Sequence, residues 1–222
     1  LLGHPGVHRA QLRAVLRASA YGPTKIMYPM ISCIEEMRAA LRAVESVKRE
    51  LDAAHIPYDA HAPIGAMIEV PSAALIADEL AGLCDFFSLG TNDLIQYTLA
   101  ADRGNESVAY LYQPFHPAVT KLVGHTLAAA RRHGIPVSVC GESASDPVVG
   151  VFWVALGAQM LSMSATYIPP IARVLGQLTR ADLSEYAKIP ESLPGGSTGT
   201  EIAEACHEWL AHRVTDFGDA LL

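Results

Sequence analysis

The chain has 222 residues, half of them hydrophobic and 18% charged, a composition that supports a sizeable core and excludes a disordered polypeptide. Its net charge of −7 shows no basic surface for nucleic acid, and no apolar run reaches the ~20 residues of a bilayer span. Cys33, Cys84, Cys140 and Cys206 are widely spaced without a CxxC pair, so zinc is not expected, and without a secretion signal the thiols are expected to be reduced, in a cytoplasm.

The opening LLGHPGVHRAQLR lacks an initiator Met and already reads as helix, which fits a fragment. KIMYPM (25–30) reads as the first strand. In the segment that follows, Ile34, Met37, Leu41, Val44, Val47 and Leu51 recur at helical spacing, with Ser32 and Glu35 as a capping pair. IGAMIEV (64–70) is the second strand, followed by a helix over 72–83. CDFFSLG (84–90) is the third strand. His116-Pro117 opens a helix that stops at Gly134. IPVSVCG (135–141) and QMLSMS (159–164) are the fourth and fifth strands, and IPPIARVLGQL (168–178) is a closing helix. The pattern then decays. IPESLPGGSTGT (189–200) reads as a linker, and 202–217 as an amphipathic helix capped by Thr198 and Glu201. The division expected is 1–179 for a barrel portion and 180–222 for a tail.

Strand–helix alternation with nearly continuous apolar strands predicts a parallel α/β sheet covered by helices. A TIM-type (β/α)8 barrel and an open doubly wound sheet both fit. The missing GxGxxG after the first strand weakens the dinucleotide-binding version of the latter. Five strands amount to about the last five units of a barrel.

In a parallel barrel the strand C-termini share one mouth, where active sites are built. Here these ends deliver Glu69, Asn92 with Asp93, Cys140 with Glu142, and Ser162 with Ser164. Glu69 and Asp93 are a pair of hard oxygen donors suited to Mg²⁺, which is held by one or two carboxylates, waters and phosphate oxygens. Each alone is equally read as a helix cap. Arg103, in DRGN, suits an anion clamp or an ion pair with Asp102 or Glu106. Asn92 suits a phosphate donor or a turn residue. Cys140 reads as a small core residue or as a protonated thiol able to give a proton to a carbanion-like carbon. None of the nine histidines shows metal-ligand spacing, and none is assigned a catalytic role.

The segments MIEVPSAALIADEL, FFSLGTNDLIQYTLAADRGNESVAYLYQPFHPAV, VCGESASD and LSMSATYIPPIARVL resemble the C-terminal, phosphoenolpyruvate-binding domain of enzyme I of the bacterial sugar phosphotransferase system. The resemblance runs from about Leu2 to Leu178. It implies that Glu69 and Asp93 ligate Mg²⁺, that Asn92 and Asp93 meet the phosphoryl end of phosphoenolpyruvate, and that Arg103 binds the substrate anion. It implies that Cys140 protonates the methylene carbon of the enolpyruvate on the way to pyruvate. It further implies a cytoplasmic homodimer that passes phosphoryl from phosphoenolpyruvate to a protein histidine for sugar uptake. In that family the acceptor histidine, the docking surface for the carrier protein HPr, three further strands and more substrate arginines lie in a preceding part outside this sequence. Ser145 stands where the family has glycine in CGExAGD, and SATYI where it has SPxSI. A related pyruvate-enolate lyase and a non-catalytic dimerisation or regulatory module are the alternative readings.

Overall fold

The computed structural model of the protein describes residues 4–220. Five parallel strands form one sheet in the order β1 (Ile26–Tyr28), β2 (Ile64–Ile68), β3 (Phe86–Gly90), β4 (Val137–Cys140) and β5 (Met160–Leu161). Each strand pairs only with its neighbours in sequence. A doubly wound sheet reverses its strand order at a switch point; this sheet never does, so its right-handed crossovers all lie on the same side, as in a barrel wall.

The register makes the two faces explicit. Paired residues share a face, and successive residues alternate. Ile26, Tyr28, Ala66, Ile68, Phe87, Leu89, Val137 and Val139 fall on one face, and all are buried under the helices. Met27, Gly65, Met67, Phe86, Ser88, Gly90, Ser138, Cys140 and Met160 fall on the other. At the two sheet edges that second face is open, with Met27 41% and Met160 60% exposed.

Helices pack over the first face, and the last of them pack on those helices in turn. They are α1 (Pro5–Ser19), α2 (Ile34–Ala53), α3 (Pro71–Leu75), α4 (Ala77–Ala81), α5 (Thr91–Leu99), α6 (Pro117–His133), α7 (Pro147–Leu156), α8 (Ile168–Leu175), α9 (Arg180–Tyr186), α10 (Ile189–Ser192) and α11 (Gly199–Arg213). The apolar stripe of α2 buries Met37, Val44, Val47 and Leu51, as its spacing requires. Its cap differs from the expectation. The helix begins at Ile34, so the third position is Glu36, not Glu35; both the N–H and the Oγ of Ser32 donate to the Glu36 carboxylate, at 2.7 and 2.9 Å. The expected helix over 72–83 is two short ones, broken at Ile76, which turns Ala73, Ala74, Ala77, Leu80 and Ala81 all inward. α6 ends at Gly134, where φ of +69° closes the helix in the left-handed conformation.

α7 and α9 were not foreseen, and α5 only as the helix that Asp93 would cap. α5 starts directly from β3 at Thr91. α7 is apolar throughout, and Pro147 to Trp153 are all buried, so no amphipathic period marks it. Residues beyond Thr179 pack on α7. Tyr186 lies edge-on to Phe152 at 6.0 Å and donates its hydroxyl to the Val148 carbonyl at 2.9 Å. α11 carries the expected capping box, Thr198 with Glu201, and buries Ile202, Cys206 and Leu210 in the same core. The stretch expected as a linker contains α10, with Ile189 buried.

Candidate active site at the strand C-termini

Glu69 is the residue after β2. Its side chain follows Gly65 and Met67 onto the inner face, where it lies against Gly90. It is 4% exposed. The Met30 N–H, just past β1, donates to Glu69 Oε1 at 2.7 Å. Gly90, at the end of β3, is what makes room for it. A Cβ there would stand 2.7 Å from Glu69 Oε2 and 2.9 Å from its Cβ.

α5 begins immediately, and Asp93 in its first turn brings a second carboxylate against Glu69. Burial pushes the Glu69 carboxyl above its ordinary value of 4.5, the Met30 N–H opposes this, and the Asp93 charge pushes it further up. The fold thus brings two carboxyl groups together, with the Met30 N–H donating to one of them. Such a pair suits a hard divalent cation, which would reverse the local charge balance. Two carboxylates are the whole donor set: among the described residues no cluster of three or more His, Cys, Asp or Glu forms a complete protein cage. Mg²⁺ tolerates this, because it retains waters and takes substrate oxygens.

Cys140 ends β4 directly opposite Gly90. Its Sγ accepts from Ser88 Oγ at 3.7 Å and lies 3.4 Å from the Leu89 carbonyl, to which the S–H donates. Burial raises the thiol above its usual value, the Ser88 contact opposes this, and the charges of Glu69 and Asp93 raise it further. The thiol therefore stays protonated at neutral pH, beside the carboxylate pair.

Asn92 is committed on one side only. Its Oδ1 accepts from the Glu142 N–H at 2.9 Å and from the Tyr112 hydroxyl at 3.3 Å, which leaves its amide N–H₂ to donate elsewhere. Arg103 lies on the exposed loop after α5 and has no ion-pair partner among the described residues; neither Asp102 nor Glu106 engages it. Its guanidinium stands close to the Tyr112 phenol. Burial, with the Glu142 charge, pushes that phenol up to about 12.

Several contributors escaped the sequence reading. Thr91 donates to the Cys140 carbonyl at 2.7 Å and accepts from Ser143 at 2.7 Å; Ser143 in turn accepts from the Trp153 indole at 3.0 Å. Gly141 has φ of +103°, and a Cβ there would stand 2.6 Å from Thr91 Oγ1 and 2.7 Å from Asn92 Oδ1. Ser88, a lone hydroxyl inside an apolar strand, was the one available signal. Ser145 has φ of −90° and ψ of −13°, a backbone open to any residue, so serine is accommodated where the resembled motif has glycine. Beside these groups lies a cavity of about 720 Å³ between the ends of β4 and β5, lined by Asn92, Glu142, Ser145, Ser162, Ser164 and Tyr167 among others. Glu142, Ser162 and Ser164 therefore belong to this cavity wall, whereas Glu69, Asp93, Cys140 and Arg103 lie outside its lining.

Comparison with known proteins gives a consistent assignment. The phosphoenolpyruvate-protein phosphotransferase of Bacillus sp. (strain S) is 47% identical over 194 residues, 87% of this chain and 33% of that protein. The protein of the same name from Streptococcus equinus is 42% identical over 202 residues, 91% of this chain and 35% of that protein. The chain thus spans about one third of the length of the curated relatives it matches. A citrate lyase structure from Burkholderia xenovorans superposes with a TM-score of 0.56 at 16% identity, covering 96% of this chain and 72% of that one, which is a likeness of fold. The family model for the PEP-binding domain of PEP-utilising enzymes matches residues 1–180, and the chain belongs to that family.

Proposed function

We propose that this chain is the phosphoenolpyruvate- and Mg²⁺-binding portion of a phosphoenolpyruvate-protein phosphotransferase. The observation that carries the reading is the meeting of the buried Glu69 carboxylate, the half-buried Asp93 and a protonated thiol at one end of the sheet, with Asn92 on the same helix turn. In this reading Glu69 and Asp93 hold the metal, which neutralises charge on the transferring phosphoryl group. The free amide of Asn92 donates to a phosphoryl oxygen. Arg103, on the exposed loop after α5, closes on the substrate anion through its planar fork. Phosphoryl transfer breaks the bridging P–O bond and leaves an enolate. The Cys140 S–H gives its proton to the enolate methylene carbon, which forms pyruvate and a thiolate. The Ser88 hydroxyl is placed to donate to that thiolate, which regains its proton from solvent.

The accepting histidine and the HPr surface belong, in this reading, to the two thirds of the relatives that this chain does not span. Homodimer formation, a cytoplasmic setting and service to sugar uptake are parts of the same proposal. Among the described residues no helix is long and apolar enough to cross a membrane.

Calorimetric titration of the chain with phosphoenolpyruvate, with and without Mg²⁺, tests it. The expected result is weak binding that requires Mg²⁺ and disappears in Asp93→Asn and Arg103→Ala. Metal-independent heat, or binding unaltered by both substitutions, overturns the assignment.

A further inference from the structure

The mouth is cross-braced by a hydrogen-bonded chain that starts inside the helical layer. Trp153, on the all-apolar α7, is fully buried, and its indole N–H donates to Ser143 Oγ. Ser143, 6% exposed, donates to Thr91 Oγ1, and Thr91, fully buried, donates to the Cys140 carbonyl. Every hydroxyl in the series both accepts and donates, so the direction of each proton is fixed from indole to carbonyl. The three side chains link α7, the turn after β4 and the first residue of α5. They therefore tie the strand end that carries the thiol to the helix that carries Asn92 and Asp93. Gly141 permits the closeness, since its α-hydrogen faces Thr91 and Asn92 where a Cβ has no space.

We infer that Trp153, Ser143 and Thr91 are positioning residues that fix Cys140 relative to the carboxylate pair. This rests on the proposed role of Cys140 as proton donor, since a thiol that gives its proton to a carbon held beside the carboxylate pair needs a fixed distance to that pair. The brace ends on the carbonyl of Cys140 itself, the last residue of β4.

The test reads the position of the thiol without substrate. The 222-residue chain is treated with iodoacetamide at neutral pH, and alkylation of Cys140 and of the buried Cys84 is followed separately by peptide mass spectrometry. Thr91→Val keeps the shape and deletes the hydroxyl; Thr91→Ser keeps the hydroxyl; Trp153→Phe deletes the indole donor together with part of the ring volume. Thr91→Val and Trp153→Phe are expected to speed Cys140 alkylation about fivefold, the factor by which one typical hydrogen bond shifts a local opening, with Cys84 unchanged. Thr91→Ser is expected to keep the wild-type rate. Equal acceleration at Cys140 and Cys84, or no acceleration in Trp153→Phe, overturns the inference; should Thr91→Val not fold, Trp153→Phe decides. Failure of the wild-type chain to bind phosphoenolpyruvate in calorimetry strikes the functional reading and leaves these rates intact, so the two failures are distinct.

Discussion

Glu69 is the residue where folding and function oppose each other most directly. The fold buries it beside Asp93, and the raised carboxyl value means that the folded chain favours the neutral form. The stability this contributes is complete below pH 4.5 and is lost as pH rises through the higher folded value. The melting temperature of the metal-free chain is therefore expected to fall over that range, and Mg²⁺ to restore it most at the alkaline end. Glu69→Gln keeps an acceptor for the Met30 N–H and removes the charge. It should melt higher than wild type at neutral pH without metal, and show no Mg²⁺-dependent shift in differential scanning fluorimetry; a lower melting point would contradict the account. Gly141 offers a second check at this scale. Alanine there takes up both a strained positive φ and a clash with Thr91. A loss of about 2 kcal/mol or more in urea unfolding is expected.

At the scale of elements, the unusual member is α7. A helix buried on every side is held by its neighbours, so its termini matter less than its packing. Asp146 nevertheless caps it, accepting from the Val148 and Val149 N–H groups at 2.7 and 3.0 Å. α11 is the opposite case, an exposed-edge helix whose start is set by sequence. Thr198 Oγ1 accepts from the Glu201 N–H, and the Glu201 carboxylate accepts from the Thr198 N–H at 2.7 Å and its hydroxyl at 2.9 Å. Thr198→Ala should cost about 1 kcal/mol in chemical denaturation, and Glu201→Ala an amount of similar sign. Equal stability in both would mean that the helix end is fixed by Ile202 and Leu210 packing alone. This capping box was legible because it is local. α7 was not, because an apolar run buried on all sides carries no helical period.

On the scale of the whole molecule, residues after Thr179 are not an appendage to the sheet layer. Tyr186 is fully buried against Phe152 and Trp209, and Arg213 bridges Asp182 and Glu185 while lying over Trp209 at 4.6 Å. We propose that the 1–179 portion depends on this cover. Truncation after Thr179 would uncover Phe152 on α7. It should give a chain with dye-accessible apolar surface and a lowered, broadened melting transition. A truncated chain that melts sharply at the wild-type temperature would show the division at 179 to be a true domain boundary. The other exposed region is the inner sheet face at β1 and β5, where Met27 and Met160 stay open. Met160→Lys should leave stability within about 0.5 kcal/mol of wild type in this chain, since that side chain is already solvated.

The sequence by itself determined the strands, the main amphipathic helices and the types of residue at each strand end, because periodicity and capping act between residues a few positions apart. It also carried the family resemblance in long ordered segments. Only the tertiary structure decided what those residues do to one another. That burial and Asp93 raise the Glu69 carboxyl, that Cys140 lies opposite Gly90, and that Trp153 reaches Cys140 through Ser143 and Thr91 all depend on how strands and helices meet. Such contacts depend on sheet register, which a one-residue slip would undo by turning Glu69 and Cys140 to the opposite face. Burial then supplies the rest, because only desolvation turns an ordinary carboxylate and an ordinary thiol into groups with raised affinity for a proton.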